Sequence, residues 1–398
     1  MKKKERLVYD MKQKLSAMKY IKNNKRRVAV LVISLALCFV LVYLVNFLLS
    51  TTKETFEIMA VENAKKIQYV TLAGSSLGID VEHVDGEELN RQYFEKNLEL
   101  AEKLKEKEGV LDAFYTPILY IEIRPAVGAW QAELPLVTKE QLPVVLKHYG
   151  TKVCEGRMPE QPGELVLDRA SMKNCGYELN DYFDIENLDT AYKIVGVLDC
   201  DSYFGCGIPK EEVAFRYSIV LLSDGSIQDV KKLLEEEGIF ARESYDNVVD
   251  VKEGEKQIKK EVVDVIDDSI QIIYLGVLIL LSLSLYIVYT MYLRDRRNEW
   301  CLYCSIGYSR EEIYHSILRE LSFTFILGLV IGAGLTVASV IGLDFGMIRP
   351  LGIKCRYFYP NTVAEIFCAY TLLFGLLQIP IRYALYKIRT IDAIEEEL

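Results

Sequence analysis

Several side-chain patterns in this sequence carry the spacing that chemistry would need. Gly74-Ser75-Ser76-Leu77-Gly78 fits G-x-S-x-G, the pattern of a serine nucleophile held on a sharp strand-to-helix turn. Such a turn needs a helix directly behind it. Here Asp80-Val81-Glu82-His83 follows, with no helical stripe before Glu87, so the pattern reads as a Gly-Ser turn. Cys301-Leu302-Tyr303-Cys304 is a lone C-x-x-C, too little for a four-ligand zinc site and without the βαβ context of a redox motif, so it reads as helix packing. The histidines His83, His148 and His315 never pair at ligand spacing. No G-x-x-x-x-G-K-[ST] loop exists to cradle a nucleotide. The chain therefore reads as a non-enzyme, with no catalytic, metal or cofactor residues of its own.

The elements around these patterns are divided by charge. The 398 residues carry a net charge of -10, but residues 1–27 hold +9, residues 51–270 hold -19, and residues 271–398 balance. The acidic middle excludes nucleic acid as a partner, because a phosphate-binding surface needs clustered cations. Between these stretches lie uncharged runs at Val28–Leu49, Ser269–Leu293, Leu321–Leu343 and Ile366–Ile381, the last extendable to Thr362. About 20 apolar residues cross a bilayer as helix, so four transmembrane helices are expected. The first is read as an uncleaved anchor, since Asn46-Phe47-Leu48-Leu49-Ser50 offers no small-x-small cleavage site. The basic head places the N-terminus in the cytoplasm.

The resulting order is a basic cytoplasmic terminus (1–27), a first span (28–50), an extracellular domain (51–268), a second span (269–293) and a cytoplasmic loop (294–320). A third span (321–343), an outer loop (344–361), a fourth span (362–381) and a cytoplasmic tail (382–398) complete it. Arg294, Arg296, Arg297, Arg310 and Arg319 support the inner loop; Arg349, Lys354 and Arg356 run mildly against the outer one. The spans hold no deep ionisable residue, Asn46 and Gln378 being their deepest polar side chains, which argues against an ion-coupled carrier.

The extracellular segment opens and closes with helical stripes, Phe56, Met59, Ala60, Ala64 and Ile67, then Ile258, Val262, Val265, Ile266 and Ser269. Both adjoining spans are expected to continue outward as stalks; periodicity leaves open whether the stalks pack together. Between them, a run at Ile67–Leu72, a helix over Glu87–Glu108 stopped by Gly109, and a strand over Val110–Ile123 make one β-α-β unit. Val213–Leu222, a helix started at Ser226-x-x-Asp229 and ended by Gly238, and Ile239–Tyr245 make another. The expected fold is an α+β membrane protein whose extracellular domain is ferredoxin-like, a split βαβ arrangement, with a small β-rich subdomain inserted over about residues 125–212. Cys154, Cys175, Cys200 and Cys206 in that domain could pair in three ways or stay free.

The cytoplasmic loop has the most specific pattern. Arg296, Arg297 and Glu299 leave the membrane, Ser305-Ile306-Gly307 stops a short helix, and Ser309-Arg310-Glu311-Glu312 is a capping box that turns the chain back. Such a rigid charged hook is suited to receive a push from a soluble partner. Gly328-x-x-x-Gly332 and Gly334-x-x-x-Ala338-x-x-x-Gly342 allow close packing in the third span, within the subunit or at a dimer seam.

The ordered set Arg296, Arg297, Glu299, Ser305-Ile306-Gly307, Ser309-Arg310, Glu320, Gly328, Gly332 and Gly334 resembles the FtsX-like ABC transporter permeases. Glu155-Gly156-Arg157-Met158-Pro159, Gly163-Glu164-Leu165-Val166-Leu167, Gly176 and Tyr192-Lys193-Ile194-Val195-Gly196-Val197 resemble the MacB-type extracellular domain, and Ile391-Asp392-Ala393-Ile394-Glu395 the family's ending. The resemblance implies a permease subunit in a bacterial cell membrane, paired with a second permease copy or homologue and contacting lipid. A separate cytoplasmic ATPase would bind ATP and Mg. It would couple to the hook through Arg296, Arg297, Glu299, Ser305, Gly307, Ser309 and Arg310. The resemblance also implies mechanotransmission to the extracellular domain, for export of or resistance to a peptide or amphiphile. Regulation of an extracellular cell-wall hydrolase is the alternative.

Overall fold

The computed structural model describes residues 21–59, 63, 66–80, 85–184, 191–210, 216–223, 230–241, 246–248 and 264–387. The chain divides into two compact units, one of Met1–Phe47, Ile270–Gly342 and Tyr357–Leu398, the other of Leu48–Ser269 and Leu343–Arg356. The whole is a mixed α/β protein with four long apolar helices and a β-rich domain.

Among the described residues, four helices are long and apolar enough to cross a membrane. They are α1 (Lys25–Glu57), α6 (Asp264–Asp295, apolar from Gln271), α8 (Arg310–Leu343, continued by a π turn over Asp344–Ile348) and α9 (Pro360–Tyr386). Within the first unit α1 is the most enclosed, and α6 presents Ile272, Leu275, Leu280, Leu283 and Ile287 outward. The two deep polar side chains both find partners, as burial in hydrocarbon requires. The Thr362 hydroxyl donates to Asn46 Oδ1 at 2.9 Å, and the Tyr314 hydroxyl donates to Gln378 Oε1 at 3.1 Å.

The β-rich unit starts with β1 (Ile67–Thr71), α2 (Gly86–Lys105), β2 (Val110–Ile123) and β3 (Trp130–Pro135). Next come α3 (Leu142–Tyr149), β4 (Val153–Gly156), β5 (Glu164–Asp168), α4 (Arg169–Cys175) and β6 (Tyr182–Asp184). It ends with β7 (Ala191–Leu198), β8 (Gly205–Gly207), β9 (Arg216–Ser223), α5 (Val230–Glu236) and β10 (Asn247–Val248). A first sheet runs β10-β1-β9-β2-β3, all antiparallel; a second runs β4-β7-β5-β8 with β6 also on β7. Among these named strands, β5 and β7 form the parallel pair. α2 and α5 cover one face of the first sheet through Leu100, Leu104, Val230 and Leu234. The opposite face meets the second sheet through Phe114, Ile118, Val166, Val195 and Phe204. The unit is thus three layers, helix, sheet and sheet.

Some expectations shift. The last strand of the first sheet is Asn247–Val248, not Ile239–Tyr245: residues 239–241 are not strand, and 242–245 lie outside the described residues. Gly238, at φ +75°, ends α5 as expected. The start at Ser226-Asp229 and the stripe residues Ala60, Ala64, Ile258 and Val262 also lie outside the described residues. Phe56 and Met59 find their apolar partners in the β-rich unit. The Phe56 ring meets Trp130 edge-on at 4.4 Å, and Met59 joins the core lined by Leu119 and Ile121 of β2, Leu134 of β3 and Leu165 of β5.

The stretches around Arg157 and Glu164 turn out to be partners. The Arg157 guanidinium grips the Glu164 carboxylate with both ends, through Nη1 to Oε2 at 2.7 Å and Nη2 to Oε1. The backbone N–H groups of Glu160 and Gln161 also donate to Oε2, at 2.8 and 3.2 Å. The Arg157 bonds, reinforced by those two amides, hold the Glu164 pKa down from 4.5 to about 2. A depressed carboxylate stabilises the fold fully above its unfolded pKa and loses that contribution as pH falls through its folded pKa. The window is therefore from about 4.5 down to about 2. Because Arg157 is half exposed, solvent screening reduces that contribution. Glu164→Gln is expected to flatten acid unfolding across that window, measured on the full chain in detergent. An unchanged acid profile would show that the pair does not carry it.

Candidate functional site

The hook is assembled from local rules and one long-range contact. α7 (Arg297–Ser305) follows α6 after the single residue Arg296. It ends at Gly307, whose φ of +98° is the left-handed conformation that suits glycine. There the Gly307 N–H donates to Cys304 O and the Tyr308 N–H to Tyr303 O, both at 3.0 Å, closing a Schellman turn. The return helix starts on a reciprocal capping box. The Ser309 N–H donates to Glu312 Oε2 at 2.8 Å, and the Glu312 N–H donates to Ser309 Oγ at 3.2 Å. Both turns of the hook are thereby fixed by bonds within a few residues.

Arg296 fixes the hook to the helix behind it. Its side chain is buried, with Nη1 donating to Glu320 Oε2 at 2.8 Å and to the Tyr292 hydroxyl at 3.1 Å, and Nε donating to Glu299 Oε2 at 3.1 Å. The Tyr292 hydroxyl in turn donates to Glu320 Oε1. The guanidinium carbon lies 5.4 Å from the Tyr292 ring centre and 5.8 Å from that of the fully buried Trp300. Cation, carboxylate, phenol and two rings form one closed cluster.

The expected site residues thus separate. Arg296 points inward, Arg297 and Glu299 are half-buried, and Ser305, Gly307, Ser309 and Arg310 are exposed. The Ser305 hydroxyl donates back to Cys301 O at 2.8 Å. Residue type alone does not single out Leu302 and Ile306, which are 59% and 60% exposed and give the hook an apolar outer surface. In α8, a Cβ on Gly328 would lie 2.9 Å from the Leu35 Cβ, and one on Gly332 would lie 2.9 Å from the Phe39 Cβ. Gly334 has nothing within 4 Å of its Cβ position. Two of the three glycines therefore pack α8 on α1.

The other chemistry-bearing patterns are structural where they are described. Gly74–Gly78 is a turn, and the Ser76 hydroxyl donates to Asp246 Oδ2 at 2.6 Å. His83 lies outside the described residues. His148 Nε2 bonds Lys66 O at 2.7 Å. All nine cysteines are free thiols, Cys301 being buried in α7. Among the described residues, no group of His, Cys, Asp and Glu could hold a metal ion.

No curated protein matches the chain. Among solved structures it is similar to a domain of a putative permease protein from Porphyromonas gingivalis, at 14% identity and TM-score 0.22, over 35% of this chain and 66% of that one. It is also similar to the periplasmic region of MacB from Actinobacillus actinomycetemcomitans, at 12% identity and TM-score 0.28, over 50% of this chain and 97% of that one. A third similarity is to the extracellular domain of the noncanonic ABC-type transporter YknZ from Gram-positive bacteria, at 12% identity and TM-score 0.26, over 46% of this chain and 99% of that one. The model of the FtsX-like permease C-terminal family matches residues 272–393. The chain therefore carries an FtsX-like permease C-terminal domain over residues 272–393, the stretch that holds the hook and its buried cluster.

Proposed function

We propose that this chain is the permease subunit of an FtsX/MacB-type ABC transporter, with the hook as the seat of a separate cytoplasmic ATPase. That ATPase binds ATP and Mg, and its movement passes through the helices to the β-rich domain outside the cell. A second permease copy or homologue completes the assembly. The substrate class is a peptide or amphiphile, exported or resisted. The strand order β10-β1-β9-β2 supports reading the first sheet as a split, ferredoxin-like βαβ arrangement, extended by β3.

The observation that carries the reading is the hook itself. A short helix closed at both ends and tied by Arg296 to Glu320 presents exposed Leu302 and Ile306. A rigid element with an apolar outer surface is what a pushing partner requires. Replacing Leu302 and Ile306 together by Asp is expected to abolish co-purification of an ABC-type ATPase with the chain. Unfolding in detergent should shift by less than about 1 kcal/mol, as for surface substitutions. Retention of the ATPase by this variant would remove the hook from the docking role.

A further inference from the structure

The loop between β2 and β3 has an apolar composition unusual for a surface turn. Pro125-Ala126-Val127-Gly128-Ala129-Trp130 is six residues without a charge, in a stretch, residues 51–270, that carries -19. Residues 127–130 are all exposed, Val127 by 48% and Trp130 by 43%. Loops that face water carry polar side chains, so an exposed apolar tip marks a contact with something apolar.

Two contacts hold that tip against the outer end of α1. The Val127 N–H donates to Thr52 Oγ1 at 3.0 Å, and the Thr52 hydroxyl donates onward to Leu48 O, also at 3.0 Å. The Trp130 ring meets the buried Phe56 edge-on at 4.4 Å. Gly128, at φ +88°, turns the chain between the two contacts. All of these residues, Leu48 included, belong to one compact unit.

α1 sets the distance of the tip from hydrocarbon. Its uncharged run ends at Leu48 and Leu49, and Lys53, Glu54 and Glu57 follow. Thr52 stands three residues beyond Leu49, about 4.5 Å along the axis at 1.5 Å per residue. The headgroup layer is about 5–7 Å deep on each side of a bilayer. Phe56 lies about 10 Å beyond Leu49, but helical side chains lean toward the N-terminus, here back toward the apolar run. Val127 therefore stands at headgroup depth, with the Trp130 indole at its outer margin. Tryptophan suits that level, because its ring is apolar and its N–H polar.

We propose that the β2–β3 tip rests in the headgroup layer of the bilayer, with Val127 and Trp130 as its apolar anchors. The partner of this surface is phospholipid. The contact requires α1 to span the membrane and nothing further of the permease reading.

The test uses the two tryptophans of the chain, Trp130 and Trp300. Full-length wild type and Trp130→Phe are placed in nanodiscs of ordinary phospholipid, and in nanodiscs of phospholipid brominated near the headgroup end of its acyl chains. The difference between the two proteins isolates the Trp130 emission. Bromine quenches by contact, so a loss of Trp130 emission in the brominated lipid is expected. Val127→Asp, measured against the same variant with Trp130→Phe, should lessen that loss, because an acidic side chain draws the tip toward water. Its thermal unfolding should stay that of the wild type, as for surface substitutions. Equal Trp130 emission in the two lipids overturns the proposal; iodide in the buffer then shows whether the tip stands in water or under another protein. An undiminished loss in Val127→Asp overturns the anchoring by Val127.

Discussion

Glu320→Ala is expected to destabilise the chain by about 3–5 kcal/mol, the usual cost of removing one member of a buried ion pair. The pair is nearly sealed, with Arg296 and Glu320 each 3% exposed. Truncating Glu320 leaves the guanidinium with Tyr292, the two aromatic faces and the more exposed Glu299. Arg296→Ala should cost a similar amount, because the carboxylate then keeps only the Tyr292 hydroxyl of this cluster. Arg296→Met combined with Glu320→Leu should recover most of the loss, since no buried charge remains. Denaturant unfolding of the four chains in detergent measures this. A double variant no more stable than the worse single one would show that the two charges are not a unit. Loss of ATPase binding in an Arg296 variant therefore reports on hook folding rather than on a lost surface contact.

Substitution of Gly328 or Gly332 by Leu should also be severe. Each new Cβ would sit 2.9 Å from a Cβ of α1, on Leu35 or Phe39, and Gly332 also has the Ala36 Cα at 3.3 Å. The helices must separate, which costs about 1–3 kcal/mol for the overpacking alone. Gly334→Leu meets open space and should leave stability within about 0.5 kcal/mol. Thermal unfolding in one detergent compares the three. Equal losses at all three positions would show that the close approach to α1 is not what sets the cost at Gly328 and Gly332.

Local patterns are legible in the sequence because each depends on neighbours in the chain. The Gly307 stop and the Ser309–Glu312 box require no tertiary knowledge, and β2 falls on the expected Val110–Ile123. Which side chains turn inward cannot be read in that way. Arg296 and Arg297 look alike in sequence, yet it is Arg296 that meets Glu320, 24 residues away. The cations between α8 and α9 show the same limit. Arg349, Lys354 and Arg356 count against the charge rule for loops, but each faces an acid of its own unit, Asp344, Asp201 or Glu54. Short elements such as α3, α4 and β8 escape a reading by periodicity because few residues carry their pattern, although Asp168 and Gly176 mark both ends of α4.

The place of Glu320 in α8 has a mechanical consequence. The apolar stretch Leu321–Leu343 is about 34 Å long at 1.5 Å per residue, close to the roughly 30 Å of bilayer hydrocarbon. The Arg296–Glu320 pair lies directly at one end of that stretch. Sinking α8 by a single turn, about 5.4 Å, would carry the pair into hydrocarbon, at a cost that rises with depth. The pair therefore works as a depth stop. It resists travel of α8 along the membrane normal in that direction.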